Sequence, residues 1–446
     1  LVLAGGIGLW RSTDGGANFT QIDPPFGSGI GHPDHHGLFS HPRFNGSSNR
    51  TVYVCNDGGL YRIDDVLTAT RTSGWKNLNR GLGITQFHGG AVSAGNIPFG
   101  GTQDNGSVKA VSNSGMTWGG YIGGDGGECA ADPSDFRYLY GEFQYAQVHR
   151  STDGGSSATS IISGLTDARS REDAPFIAPL ILDPNNRNRL YVGTKRLWRC
   201  DNARASRPNW RRFIDMGNAR FITAIAVTPG DSNTMYFAYD VSASDRGNLI
   251  RVENALSSRP KLTALSTGAR RSILKIAIDP RATSRIYLGL GGNQEQNVIR
   301  SINRGATWTD RGGNRPTEML PPSPVRGLAL HPTLSGHIYA GTEVGVFAST
   351  DSGQTWSTTN DGPANVAVHE LVVRSSGGRS RLWAFTHGRG VFSADIGRDA
   401  DNTNTMTRAS ISRFEAQANG ASLTPSISGS GRFVAFYYTH AFMENS

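Results

Sequence analysis

The amino-acid sequence predicts an all-β fold, a β-propeller of seven or eight four-stranded blades with a short C-terminal extension. Two repeats and the composition lead to this prediction. One repeat is a tight turn that begins with serine, and the other is a strand that carries a tyrosine roughly every 50 residues. Glycine accounts for 57 of the 446 residues, and charged residues make up 18%. Many short strands joined by turns have this composition.

The turn repeat is clearest in Ser349–Trp356, where serine comes first, aspartate third, glycine fifth and an aromatic residue eighth. Weaker copies lie at residues 12–19, 301–308, 151–155 and 111–118. A short acceptor side chain can close a tight turn by bonding its own backbone, and the glycine then takes the positive φ. We therefore expect structural roles, and no catalytic ones, for Asp14, Asp153, Asn303, Asp351, Trp308 and Trp356.

This turn pattern resembles the Asp-box, or bacterial neuraminidase repeat, of β-propellers. Over residues 1–396 the chain is similar to bacterial propellers of that superfamily, including the sortilin N-terminal type and the xyloglucan-hydrolase type. The resemblance implies blades of the WD40 or YVTN kind around a central channel with a ligand at its mouth. Its motifs are specific for the fold and much less so for the activity.

The second repeat is an apolar strand, a proline-containing turn, and a strand of the type aromatic, apolar, glycine. It is clear where Asp183-Pro184 precedes Leu190–Gly193, and it recurs around Tyr53, Tyr140, Tyr236, Tyr287 and Tyr339. The spacing predicts units at residues 34–83, 84–124, 125–174, 175–219, 220–269, 270–323, 324–363 and 364–396, with residues 1–23 as part of another. Seven or eight blades is the natural closure, and the tail of a longer protein with two rings is the alternative.

We expect three segments along the chain. Residues 1–396 are the predicted Asp-box propeller, and the polar, aperiodic residues 397–407 are the predicted linker. Within residues 408–446, the stretch 417–436 resembles the opening strands of a TolB-type propeller repeat. This resemblance implies a partial repeat or a truncated second domain, so the chain can be a fragment of a longer multi-propeller protein.

Composition narrows the classes of partner. The formal net charge is +8, but the basic residues are scattered and form no track for phosphates, which argues against specific nucleic-acid binding. A positive field favours an acidic glycan. No run approaches the roughly 18 apolar residues of a membrane helix. Cys55, Cys129 and Cys200 allow one disulfide at most and lack metal spacing. We expect a secreted bacterial protein, extracellular or periplasmic, with no cofactor.

Candidate site residues lie in clusters just before or within the predicted innermost strands, where propeller ligands bind. The clusters are residues 32–36, 101–106 and 123–128, and their carboxylates Asp34, Asp104 and Asp125 are the predicted catalytic residues. Paired carboxylates can act as acid and base in glycoside cleavage. Xyloglucan hydrolases, which the chain resembles, carry a catalytic carboxylate before a strand similar to Asn56–Arg62, and Asp34 lies in that region here. Two alternatives stay open for Asp104 and Asp125. One is ligand contact without chemistry, and the other is a turn-capping role, because Asp-Gly and Asp-Asn-Gly are common turn sequences.

Ligand contact is predicted for a second set of polar residues at strand ends: His35, His36, His88, Glu128, His387 and Arg389. His369 occupies a comparable strand end. We expect no metal among residues 32–36, because adjacent residues of a strand point to opposite faces and His35 and His36 cannot readily share an ion.

Together these observations predict a secreted β-propeller that binds a polysaccharide or other glycan at the channel mouth, with glycoside hydrolysis as the candidate reaction. The competing class is a non-catalytic scaffold that binds protein or peptide. Two carboxylates about 5 to 10 Å apart across one cleft would favour the enzyme.

Overall fold

A computed structural model describes most of the chain: residues 1–25, 27–111, 118–217, 220–240, 249–357, 363, 365–376 and 378–396, with the backbone of three later strands. Every regular element of these residues is a β-strand, as the sequence predicts. Over the same residues the chain has no helix that could span a membrane. The chain divides into two compact units, Leu1–Ile84 with Ile411–Ser446, and Thr85–Ser410. The weak turn copy at 111–118 falls mostly outside the described residues.

The first unit contains two antiparallel sheets whose strands follow chain order. One sheet comprises β1 (Val2–Gly5), β2 (Leu9–Ser12) and β3 (Thr20–Gln21). The other comprises β4 (His35–Ser40), β5 (Val52–Asn56), β6 (Gly59–Ile63) and β7 (Trp75–Asn77). Their shared core includes Leu9, Val54 and Ile63, all fully buried.

The described part of the second unit contains seven antiparallel sheets, again in chain order. The first three comprise β8 (Phe87–Val92), β9 (Pro98–Thr102), β10 (Gly106–Ala110) and β11 (Trp118–Ile122); β12 (Gly126–Ala131), β13 (Leu139–Phe143), β14 (Gln147–Ser151) and β15 (Thr159–Ser160); and β16 (Leu180–Asp183), β17 (Asn186–Gly193), β18 (Arg196–Cys200) and β19 (Trp210–Asp215). The next two comprise β20 (Ile222–Thr228), β21 (Asp231–Tyr239), β22 (Leu249–Glu253) and β23 (Lys261–Leu265); and β24 (Ile273–Ile278), β25 (Ile286–Leu290), β26 (Val298–Ser301) and β27 (Thr309–Asp310). The last two comprise β28 (Val325–Leu330), β29 (Ile338–Thr342) and β30 (Gly345–Ser349); and β31 (Val368–Ser376), β32 (Arg379–Thr386), β33 (Val391–Asp395) and β34 (Thr407–Arg408).

The seven sheets of the second unit form a closed circuit. Their first strands contact one another in chain order, and β31 of the last sheet contacts β8 of the first. A closed circuit of antiparallel sheets, six of four strands and one of three among the described residues, defines a β-propeller, so the predicted fold class is confirmed. The total of seven or eight blades over residues 1–396 stays a prediction, and the two sheets of Leu1–Ile84 belong to the other compact unit.

Backbone hydrogen bonds join the two ends of this circuit. The N–H groups of Gly388 and Gly390 donate to the carbonyl oxygen of Thr85 at 3.1 and 3.2 Å. Gln86 and His387 form an antiparallel bridge, and the N–H of His387 donates to Ala367 at 2.8 Å. The turn between β32 and β33 therefore fastens the last sheet to the beginning of the first.

Two further strands lie near the C-terminus, β35 (Ser422–Ile427) and β36 (Val434–Tyr438), and they pair with each other. The rest of the TolB-like segment lies outside the described residues, as does the predicted linker up to its last residue, where β34 begins. The predicted boundaries at 396, 407 and 408 stay predictions.

The tyrosines of the second repeat belong to the core between sheets. Tyr140, Tyr191, Tyr236 and Tyr287 lie on the second strands of successive sheets and are at most 1% exposed. A second strand in a propeller blade is covered by neighbouring sheets on both faces, which favours large apolar side chains there. These tyrosines therefore recur in the sequence once per sheet, because each of these four sheets buries one on its second strand.

The serine turns share one hydrogen-bond pattern. In the clearest copy the Ser349 hydroxyl donates to Asp351 at 2.9 Å, and the Gly353 N–H donates to the Ser349 hydroxyl at 2.8 Å. The N–H of Thr355 donates to the Asp351 carboxylate at 2.9 Å. Equivalent bonds occur in the turns that start at Ser12, Ser151 and Ser301.

The aromatic residue of the repeat packs to a different extent in each turn. Trp356 is 2% exposed and its ring nitrogen donates to the Arg311 carbonyl at 2.8 Å. Trp308 is half-buried and donates to Gly305 at 3.1 Å. Phe19, in contrast, is 42% exposed. The carboxylate or amide thus organises the turn in the four copies that the structure describes, and the aromatic residue anchors it in some of them.

The Asp351 turn tests this structural role. Asp351→Ala should lower the free energy of unfolding by about 1–2 kcal/mol, because it leaves backbone donors of the turn without their acceptor. Asp351→Asn should cost less, since Asn303 accepts the equivalent bond from Thr307 at 2.9 Å. Urea unfolding of the two variants measures the difference, and equal midpoints for wild type and Asp351→Ala would contradict the role.

Candidate functional site

A cavity of about 530 Å³ lies among the first strands of the sheets in Thr85–Ser410. One part of its wall is apolar, with Leu180, Ile181 and Ile225 among the lining residues. Another part carries ionisable side chains. Ligands of propellers bind in such channels, so this cavity is the candidate functional site.

A repeated β-bulge shapes the cavity wall. In six of the described sheets of this unit, the pairing of the first strand with the second shifts register by a residue or two near the start of the first strand. A bulge leaves the skipped residue unpaired in the ladder and re-aims its side chain. The skipped residues that line the cavity are His88, Glu128, Thr223, Leu274, Arg326 and His369.

Two carboxylates and a lysine face this cavity. Lys275 on β24 forms an ion pair with Glu370 on β31, although the sheet that begins with β28 lies between these two strands in the circuit. Glu128 on β12 lines the same cavity. Burial raises the pKa of Glu128 to about 7, against the opposing attraction of Lys275 and with the added repulsion of Glu370. Burial lowers the pKa of Lys275, but Glu370 and Glu128 outweigh it, so that pKa is raised. The site therefore holds a carboxyl group that is partly protonated near pH 7 and an ion-paired carboxylate.

Three histidines converge at the junction of the first and last sheets. The rings of His369 and His387 stack at 4.7 Å between centroids, and His88 lies 5.2 Å from His387 and 6.3 Å from His369. One ring nitrogen of each lies within 4.8 Å of the others, a spacing that could hold a metal ion. His88 and His387 are predicted ligand-contact residues, and the structure places both here.

These imidazoles are neutral at pH 7. Burial, followed by repulsion from His387, lowers the pKa of His88 to about 4 and that of His369 to about 3. Burial also lowers the pKa of His387, against the opposing hydrogen bond to the Phe87 carbonyl. Removal from water disfavours the charged imidazolium, and neighbouring imidazoles would repel one another if charged.

The predicted carboxylates Asp104 and Asp125 meet in a turn. One oxygen of Asp125 accepts the backbone N–H of Asp104 at 2.7 Å, and the other accepts the side-chain amide of Gln144. Asp104 has a φ of 58°, in the left-handed region that aspartate tolerates in turns. These bonds favour the turn-capping alternative, and catalysis by Asp104 or Asp125 stays a prediction.

Glycines beside these carboxylates allow sheets to approach one another. A Cβ on Gly101 would lie 2.2 Å from the Gly127 carbonyl oxygen, and a Cβ on Gly126 would lie 2.6 Å from the Cα of Gly101. The glycine-rich sequence predicted to admit a ligand therefore also serves to pack β9 against β12.

The remaining predicted residues divide between the two units. Asp34, His35 and His36 lie in the first unit, where His35 is buried and the side chain of His36 is 67% exposed and contacts Asp57 at 2.7 Å. The two histidines do not converge, as expected for neighbours on a strand. Arg389 lies in the closing turn, and its N–H donates to the Thr386 hydroxyl at 3.0 Å.

Sequence reasoning missed Lys275, Glu370 and Arg326. A signal was present, since Lys275 interrupts the apolar run Ile273–Ile278 and Glu370 interrupts Val368–Val373. A charge inside an apolar innermost strand indicates a polar channel wall. The bulge that aims Arg326, and the pairing of Lys275 with Glu370 across an intervening sheet, leave no mark in the sequence.

The comparisons with known proteins give one curated relative. A xyloglucanase of Hypocrea jecorina (strain QM6a) is 30% identical over 192 residues, which cover 40% of this chain and 22% of that protein. The chain thus spans about a fifth of the length of this relative. No protein-family model matches the chain.

Solved structures give more distant likenesses. An ancestral GH74 enzyme is 18% identical with a TM-score of 0.47, over 63% of this chain and 38% of that one. YCF48 from Cyanidioschyzon merolae is 14% identical with a TM-score of 0.47, over 70% and 96%. Raptor of Chaetomium thermophilum is 10% identical with a TM-score of 0.49, over 72% and 29%. The fold is accordingly assigned from the sheets of this chain.

The raised pKa of Glu128 predicts a pH-dependent stability. The free energy that protonated Glu128 contributes to folding is complete below its ordinary pKa of 4.5. It is lost as the pH rises through about 7, because the folded chain then holds a buried charge. Between pH 4.5 and 8, wild type should lose up to about 3 kcal/mol relative to Glu128→Gln. Urea unfolding across this range measures the loss, and parallel pH profiles for the two proteins would refute it.

The Asp125 turn predicts a cost in stability. Asp125→Asn places an amide N–H against either the Asp104 N–H or the Gln144 amide, so a partly buried donor loses its acceptor unless the Gln144 amide reverses to offer its oxygen. The free energy of unfolding should fall by about 1–3 kcal/mol. A variant with wild-type stability in urea and weakened ligand binding would instead favour a ligand-contact role.

Proposed function

We propose that the protein is a secreted glycan-binding propeller that hydrolyses a polysaccharide in the channel of Thr85–Ser410. One observation carries the proposal: two carboxyl groups of different environment, Glu128 and Glu370, line the same cavity. Glycoside hydrolysis requires a protonated carboxyl group to donate to the leaving oxygen and an ionised one to activate water or attack the sugar. A carboxyl group with a raised pKa that shares a cavity with an ion-paired carboxylate is the arrangement that marks an acid and its partner base.

The roles follow from the surroundings of each group. Glu128 retains a proton near pH 7 and is the proposed acid. Glu370 is held by Lys275, and its second oxygen accepts the Leu371 N–H at 2.9 Å, so it is the proposed ionised partner. Arg326 and Thr223 line the same cavity and supply a donor and a hydroxyl group for sugar hydroxyl groups.

The curated relative supports the choice of substrate class. Its name states that it acts on xyloglucan, which makes xyloglucan the first polysaccharide to test. The net charge of +8 also suits acidic polysaccharides, so the panel includes these.

The apolar part of the cavity favours a second candidate function. This apolar wall fits the side chains of an apolar peptide segment, and it includes Leu180, Ile181, Leu182 and Ile225. Among the described residues, Phe221 is the one aromatic lining residue besides the histidines. A scaffold that binds peptide without chemistry uses such a wall.

Release of reducing ends from xyloglucan and acidic polysaccharides tests the proposal. Glu128→Gln and Glu370→Gln should each lower kcat/KM by at least about 100-fold, because each removes one proton-transfer group. Glu253→Gln is the matched control, since Glu253 pairs with Lys261 at 3.1 Å and does not line the cavity.

The alternative outcomes are distinct. Activity that survives both cavity variants would exclude the proposed pair. Absence of hydrolysis across the panel, together with saturable binding of apolar peptides that Ile225→Asp abolishes, would establish the scaffold function.

A further inference from the structure

The histidine cluster is independent of the carboxylate pair and carries its own inference. His88 comes from the bulge of β8, His369 from the bulge of β31, and His387 from the turn after β32. Three separate elements thus bring their ring nitrogens to within 4.8 Å of one another. In the folded unit these positions are fixed by the hydrogen bonds that close the circuit.

Hydrogen bonding fixes the orientation of one ring. Nδ1 of His387 lies 3.2 Å from the carbonyl oxygen of Phe87, so Nδ1 carries the proton and Nε2 keeps its lone pair. A backbone carbonyl that holds the second nitrogen of an imidazole is the usual support of a metal-binding histidine.

A second ring has a nitrogen without a hydrogen bond. Nε2 of His88 is buried and makes none with the described residues. A buried polar atom of this kind calls for an explanation, because its desolvation is otherwise uncompensated. Packing alone would be served better by apolar rings, such as Phe87 and Phe385, which meet nearby at 5.6 Å.

We propose that His88, His369 and His387 form a binding site for a divalent transition metal of the zinc class, with a coordination position open to the channel. Imidazole nitrogens select such ions over Ca²⁺ and Mg²⁺, which prefer oxygen. Tetrahedral Zn²⁺ sets its ligand nitrogens about 3.3 Å apart. Side-chain rotations that move each ring nitrogen by roughly 1 Å would therefore bring the three nitrogens into contact with the ion. His88 and His369 both line the cavity, which places the open position toward it.

This proposal departs from the sequence-based expectation, which was that the chain holds no metal. It also stands apart from the proposed hydrolysis, since ion binding can be measured without any substrate. Three histidine ligands and an open position are the arrangement that binds and activates water in zinc enzymes.

The test uses the full chain without an affinity tag, stripped of metal with a chelator. Calorimetric titration with Zn²⁺ should give about one ion per chain, and Co²⁺ should give the visible bands of a tetrahedral site. His369→Ala and His88→Ala should each abolish stoichiometric Zn²⁺ binding and the Co²⁺ bands. Zn²⁺ should also raise the Tm of wild type and leave that of His369→Ala unchanged, because a ligand stabilises only the form that binds it.

His337→Ala is the matched control. His337 packs against His331 with ring centroids 6.0 Å apart, and this pair belongs to no group of three potential ligands among the described residues. The control should bind Zn²⁺ as wild type does. His369→Gln keeps a polar side chain of similar length and decides the matter if His369→Ala unfolds early, since it too should lose the ion. Equal Zn²⁺ stoichiometry in wild type and either His369 variant, or no tetrahedral Co²⁺ bands in wild type, would overturn the proposal.

Discussion

The hydrogen bonds between the two ends of the second unit are the constraint on which its architecture depends. Thr85 accepts from the turn at Gly388–Gly390, and His387 bridges to Gln86. Without these bonds the first and last sheets would each expose an edge or a face to water. Closure of a circuit of sheets removes that exposure, so these few residues protect every sheet between them.

The same junction shapes the candidate site. His387 belongs to the closing turn, while His88 and His369 lie on the first strands of the two sheets that it joins. Bulges also occur in the first strands of four other sheets around the channel, and each places a side chain that is unpaired in the ladder at the cavity wall. One local irregularity, repeated in six sheets, thus produces a wall of mixed charge inside an otherwise apolar ring.

Much of the fold could be predicted because its signals are local. The serine turn needs eight consecutive residues, and the buried tyrosines recur with the period of a blade, so both are visible in the sequence. The sequence also singled out His88, Glu128 and His387. It did not predict the pairing of Lys275 with Glu370, because this contact joins strands 95 residues apart and depends on how many sheets lie between them. Asp104 and Asp125 were predicted to be catalytic because glycines flank them. The structure explains these glycines by the close packing of neighbouring sheets.

The closing contacts also bear on the order in which the chain folds. The hydrogen bond from His387 to Phe87 joins residues 300 positions apart, and loop-closure entropy makes such a contact slow to form. During synthesis the amino-terminal sheets emerge first, and the circuit cannot close until the turn after β32 has left the ribosome. Until then the sheets of this unit cannot form a closed circuit, so closure of the circuit is also the step that assembles the histidine cluster.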